Sequence, residues 1–216
     1  VIEQLRQIIP PDWQATLVAV DGDATPDVFG QIKRIPETAT HLIVSIGGND
    51  ALGSTGVMNQ QADTVQFALH HLSIIRRRFR NEYRDMLAEV LALRLPTAIC
   101  TIYDAVPGLE PELQTALCIF NDSITREAMA ACVPIIDLRA VCHEPEDYST
   151  VSPIEPSAVG GAKIARAIHR WLLGSVGADV PDTVSSRSDI GQIDIPDKPA
   201  TATQRSALQK VLEEKR

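Results

Sequence analysis

Residues 41–50 read HLIVSIGGND, His41 to Asp50. Leu42, Ile43, Val44 and Ile46 are apolar and partly β-branched, without strict alternation, as in a strand buried on both faces. Gly47-Gly48 ends that run abruptly: two glycines let the backbone turn sharply and approach a ligand closely. An Asn side-chain amide at this place, Asn49, can donate to an oxygen that becomes negative during a reaction. The bland alternative is an ordinary turn in which Asn49 and Asp50 bond their own backbone.

Working outward, apolar runs alternate with helical patterns. Val1–Ile9 carries Ile2, Leu5 and Ile9 on one helical face and is stopped by Pro10-Pro11. Ala15–Val20 (ATLVAV), followed by Asp-Gly, predicts a buried strand, and Asp27–Ile35 a brief helix. A long helix is predicted from about Asp63 to Leu93, with Val65, Leu69, Leu72, Ile75, Phe79, Tyr83, Met86, Leu87 and Val90 as its apolar stripe. Its basic run, Arg76-Arg77-Arg78 with Arg80, reads as a solvated face rather than an anion site. Then come a strand at Pro96–Tyr103, a helix at Pro111–Cys132, a strand at Val133–Leu138 and a last helix at Ala158–Leu173. Strict strand–helix succession with doubly apolar strands describes an α/β, three-layer sandwich built on a parallel sheet. Ligands of such sheets sit at the carboxyl ends of the strands. The domain is expected to span 1–174; 175–216 reads as a flexible tail, with one short helix at Thr203–Arg216.

The 216 residues carry a net charge of −8 and only 4% aromatics, which argues against a nucleic-acid binder. No run approaches the roughly 18 apolar residues of a membrane span. Cys100, Cys118, Cys132 and Cys142 form no C-x-x-C pair and lack a His at ligand spacing, so neither a metal site nor a disulfide framework is indicated. Unpaired cysteines suit a reducing compartment, which favours the cytoplasm. No cofactor is called for.

A second feature supports a functional turn at Gly47–Asp50. Val20-Asp21-Gly22-Asp23-Ala24-Thr25 leaves the preceding predicted strand, so Gly22 can present a bare backbone N–H at the same rim. On these residues the sequence resembles the SGNH (GDSL-like) hydrolases, flavodoxin-like α/β esterases, lipases and carbohydrate deacetylases. That family carries a Gly-Asp-Ser turn after its first strand, a lone Gly after the second, Gly-x-Asn-Asp after the third and Asp-x-x-His before the last helix. Gly22 matches the second block, Gly47-Gly48-Asn49-Asp50 the third, and Phe120-Asn121-Asp122 through Val133–Leu138 is similar to the penultimate helix and strand. The resemblance covers about residues 1 to 173. It implies hydrolysis of an ester or acyl group of a small-molecule substrate, with Gly22 and Asn49 as oxyanion donors and Gly48 and Asp104 lining the substrate cleft.

Two departures from the pattern shape the expectation. No Gly-Asp-Ser is present. Gly22-Asp23-Ala24 could be that turn with Ala in place of Ser, but the interval from Gly22 to Asn49 has room for one strand–helix–strand step only. The first strand and its nucleophilic Ser are therefore expected to lie upstream of Val1. Removing a strand that sits between two others strips both of pairing partners, so residues 1–216 alone are expected to fold poorly or aggregate.

The second departure is in the last block, where Ser152 and Glu155 stand at the Asp and His positions. Glu155 is the candidate base, requiring burial to raise its pKa; the alternative is that it caps the helix at Ala158. His143, oriented by Asp147, is a second candidate, against the reading of an exposed loop His. Tyr103 and Asp104 exit the third predicted strand, where Asp104 could equally form a turn. If the base is lost, the alternative function is a non-catalytic SGNH-like protein that binds an acyl or carbohydrate ligand.

Overall fold

A computed structural model describes residues 1–177, which form one compact unit. The predicted tail and its Thr203–Arg216 helix lie outside the described residues. Three parallel strands, β1 (Leu42–Val44), β2 (Thr97–Cys100) and β3 (Ile135–Ile136), lie in the order β1-β2-β3. Leu42 pairs with Thr97, Val44 with Ile99, Ile99 with Ile135 and Cys100 with Ile136. All four residues of β2 are buried, as befits the central strand.

Alternation along β2 builds the layers. Ala98 and Cys100 face a cluster with Ile164, Ala165, Ile168 and Leu172 of α7 (Ala158–Gly177), which also packs on α1 (Ile2–Arg6) through Leu5. Ile99 faces the opposite cluster: Phe79, Tyr83, Met86, Leu87 and Val90 of α4 (Val65–Ala92) with Phe120, Ile124 and Ala128 of α5 (Pro111–Ala130). This is the three-layer α/β sandwich expected. Short helices α2 (Val28–Ile32), α3 (Gly48–Gly53) and α6 (Leu138–Val141) complete the described elements.

Two local readings are corrected. Ala15–Val20 is not a strand: among the described residues no neighbouring strand offers it a ladder, and Leu17 and Val20 are 58% and 49% exposed. Arginines take some of its carbonyls instead, Arg6 Nε donating to Ala15 O at 3.1 Å and Arg34 Nη2 to Val18 O at 2.8 Å. The basic run of α4 is likewise not simply solvated. Arg76 pairs with Asp122 at 3.0 Å, and Arg80 and Arg84 both hold Glu127, clasping α4 to α5. The stripe of α4 is buried only from Phe79 onward; Val65 and Leu69 are exposed.

Glu127 is buried within this clasp. Burial pushes its pKa up, but the Arg84 and Arg80 guanidiniums outweigh that and hold the carboxyl below its ordinary 4.5. A lowered folded pKa means stability that is complete above the unfolded value and lost as pH falls through the folded one. Because the two arginine side chains are 37% and 52% exposed, solvent screens part of the attraction. Glu127→Gln is expected to cost about 1–2 kcal/mol at pH 7 by denaturant unfolding. The difference from the parent should shrink below pH 4.

Candidate active site at the strand exits

Gly47 begins the site. Its φ of +119° is left-handed, and a Cβ there would meet Ile124, Ile102 and Phe79 side-chain atoms at 3.2–3.3 Å. Both backbone and space therefore call for glycine, and α3 starts at the next residue. Two consecutive side chains then reach across to the preceding turn. Asn49 Nδ2 donates to Asp23 O at 2.8 Å, and Asp50 accepts from Thr25 N at 3.0 and 3.2 Å and from Thr25 Oγ1 at 3.1 Å. Burial raises the Asp50 pKa despite those bonds from Thr25.

These bonds bring Gly22 and Asn49 to one rim. Gly22 has a φ of +85° in an exposed turn closed by Asp23 N donating to Val20 O at 3.2 Å. Its N–H has no partner among the described residues, and the exposed Asn49 amide has one N–H beyond that given to Asp23. Asp50 and Thr25, absent from the predicted set of site residues, turn out to position it. The signal available in sequence was the adjacency of two polar side chains, Asn49-Asp50, behind a double glycine.

Gly48 lines a groove of about 150 Å³, open to solvent on one side, that runs between α3, α4, the β2 exit and α5. The exit of β2 is pinned by the buried Asn121, whose Oδ1 accepts from Ile102 N at 2.8 Å and whose Nδ2 donates to Ile102 O at 2.9 Å. Tyr103 OH donates to Ile154 O at 2.6 Å, drawing the loop before α7 to the groove. Burial raises the Tyr103 hydroxyl to about 12, so it stays a donor at neutral pH. Asp104 does not line this groove; its carbonyl accepts from Gln114 Nε2 at 3.3 Å, and its charge is felt by Arg139.

Glu155 occupies a different setting from the one expected. Its backbone is fixed, the N–H donating to Ser152 O and the carbonyl accepting from Ser149 N, both at 2.9 Å. Its side chain is exposed and lines an open depression with Pro145, Tyr148 and Ser149, while its neighbour Ile154 lines the groove. The helix cap is Ser157, not Glu155: Ser157 Oγ accepts from Val159 N at 3.1 Å and Gly160 N at 3.2 Å.

His143 is exposed, with Nδ1 3.2 Å from Ala140 O and Nε2 3.3 Å from Glu144. Asp147 does not orient its ring. The buried Asp147 carboxylate takes the backbone N–H groups of His143 and Glu144, each at 3.1 Å, and the Lys163 ammonium at 2.7 Å. Burial opposes its ionisation, but Lys163 and those amides outweigh burial and hold its pKa below the ordinary value. The serines Ser54, Ser149 and Ser157 are likewise engaged with backbone groups. Among the described residues no cluster of three or more His, Cys, Asp or Glu side chains could hold a metal ion, and no helix is long and apolar enough to cross a membrane.

No family profile matches the sequence, and no curated protein is similar to it. Solved structures are similar in fold. An acetylxylan esterase from Geobacillus stearothermophilus, solved as a catalytic mutant, superposes with a TM-score of 0.57 at 14% identity, over 78% of this chain and 77% of that one. An α/β hydrolase from the metagenome of Lake Arreo, Spain, gives 0.53 at 15% identity, over 68% of this chain and 66% of the other. The acetyl xylan esterase AlAXEase gives 0.52 at 14% identity, over 71% and 77%. The fold is of the SGNH-hydrolase type. Gly48 and Asn49 follow the carboxyl end of β1, the edge at which ligands of open α/β sheets bind.

Proposed function

We propose that the SGNH-type domain hydrolyses an ester or acyl bond of a small molecule. The observation that carries this reading is the joining of two turns by Asn49–Asp23 and Asp50–Thr25, which leaves the Gly22 N–H and an Asn49 N–H at one rim beside a groove. Donors fixed where negative charge develops are the largest single contribution in acyl transfer. The similarity in fold to esterases agrees with it.

In this mechanism a serine hydroxyl attacks the carbonyl carbon, and the carbonyl oxygen becomes the oxyanion held by Gly22 and Asn49. The serine proton passes to a base and then to the departing alcohol. Water hydrolyses the acyl-serine by the same route in reverse. We assign the serine to a Gly-Asp-Ser turn outside these 216 residues, and the base to Glu155 in preference to His143. Gly48 and, at longer range, Asp104 shape the cleft.

One observation favours a second reading, a binding protein without catalysis: the Glu155 carboxylate is exposed and faces the neighbouring depression rather than the groove. A fluorophosphonate probe on protein that includes the coding sequence upstream of Val1 separates the two. Labelling of one serine supports the enzyme, and no labelling supports the binder. For the enzyme, kcat/KM should rise with pH through a carboxylate-like apparent pKa that Glu155→Gln abolishes, with about a 10²–10⁴-fold loss. A pH profile unchanged in Glu155→Gln but lost in His143→Gln would assign the base to His143.

A further inference from the structure

The groove beside Gly48 has an unusual wall for a fold shared with xylan esterases. Leu72 and Ile75 of α4 face Leu113 and Leu117 of α5 across it, and no charged side chain lines it. Three hydroxyls do, and each donor is already used: Ser54 Oγ to Asp50 O at 2.8 Å, Thr55 Oγ1 to Leu52 O at 2.7 Å and Tyr103 OH to Ile154 O at 2.6 Å. A sugar ring placed there would leave its hydroxyls without donors, at a cost in free energy for each buried polar group. At the mouth, Leu52, Met58 and Ile154 are 44%, 43% and 47% exposed, an apolar lip of the kind that marks a ligand groove. The enclosed volume, about 150 Å³, is that of a narrow slot rather than a wide cleft.

We infer that this groove holds the aliphatic acyl chain of the substrate, so that the ester is one of a medium- to long-chain fatty acid rather than of acetate on a sugar. The inference rests on the ester-hydrolase reading for the placement of the carbonyl. Gly48 lines the groove and Asn49 follows it in the same turn, so a chain lying along Leu72 and Leu113 enters from the rim where the oxyanion donors stand.

The test is equilibrium binding of straight-chain fatty acids to the purified chain, kept below micromolar concentration to suppress association, in competition with a fluorescent fatty acid. Acetate should not compete, and dodecanoate should saturate a single site. Affinity should climb about fourfold for each methylene that enters the groove. Ala116→Phe, which fills the groove, should weaken dodecanoate at least about thirtyfold. Met58→Glu, on the exposed lip where the core is not disturbed, should weaken it about tenfold. Equal affinity for all chain lengths, or dodecanoate binding unaltered in both variants, would overturn the assignment. Chain-length-dependent binding without ester hydrolysis by the serine-containing protein would leave the groove assignment standing and remove the hydrolase reading. Hydrolysis of acetyl and dodecanoyl esters at equal kcat/KM would do the reverse.

Discussion

Replacing Asn49 by alanine is expected to lower kcat for ester hydrolysis by about 10²–10³ with little change in KM. The amide has two N–H groups; one is spent 2.8 Å from Asp23 O and the other has no partner among the described residues. Alanine removes both; in the proposed mechanism the ground-state carbonyl makes weaker use of that donor than the oxyanion does, so the loss falls on the transition state. The side chain is exposed, and the lost Asp23 bond should cost only about 1 kcal/mol of stability, measured by denaturant unfolding. A large rate loss with a small stability loss is the signature of the oxyanion role. Unchanged hydrolysis in this variant would remove Asn49 from the mechanism.

Gly160→Ala is expected to have the largest effect on folding. A Cβ at Gly160 would lie 2.1 Å from the Asp147 carbonyl oxygen, a backbone atom that cannot swing aside as a side chain would. That carbonyl also accepts from Ser157 N at 2.8 Å, and the Asp147 carboxylate is buried against Lys163. The first turn of α7 must therefore move away from the 145–147 turn, disturbing the Ser157 cap and the loop that carries Glu155. A loss of about 3 kcal/mol or more is expected, at or beyond the upper end for overpacking. Thermal unfolding of Gly160→Ala beside Gly174→Ala, whose Cβ meets nothing within 4 Å, measures it. A Gly160 variant as stable as the Gly174 control would contradict the tight approach.

How far the sequence could be read depended on what each residue needed from elsewhere in the chain. The β2 and α7 layers were legible because a run such as Thr97–Cys100 is apolar on both faces, and that pattern is local. Gly47–Asp50 was legible because the double glycine and the Asn-Asp pair announce a constrained turn. Ala15–Val20 misled: its β-branched character is local, but a strand exists only beside a partner, and among the described residues none is present. Arg76 and Arg80 misled for a related reason, since Asp122 and Glu127, which hold them, come from a helix more than forty residues on. Glu155 does not cap α7 despite its nearness; Ser157 is a better N-cap and stands at the right position. Its exposure was a tertiary outcome that no spacing encoded.

The helix α4 divides into two halves with different dependants. From Phe79 onward its side chains fill the core, where a lost methylene is felt as stability. Ahead of that, Leu72 and Ile75 wall the groove, Ile75 also packing on the edge of the core, while Val65 and Leu69 stand in solvent. Change in the first half can therefore drift with little penalty to folding, and what it alters is the length and girth of guest that fits. On the proposed reading, one end of a single helix sets selectivity and the other holds the architecture.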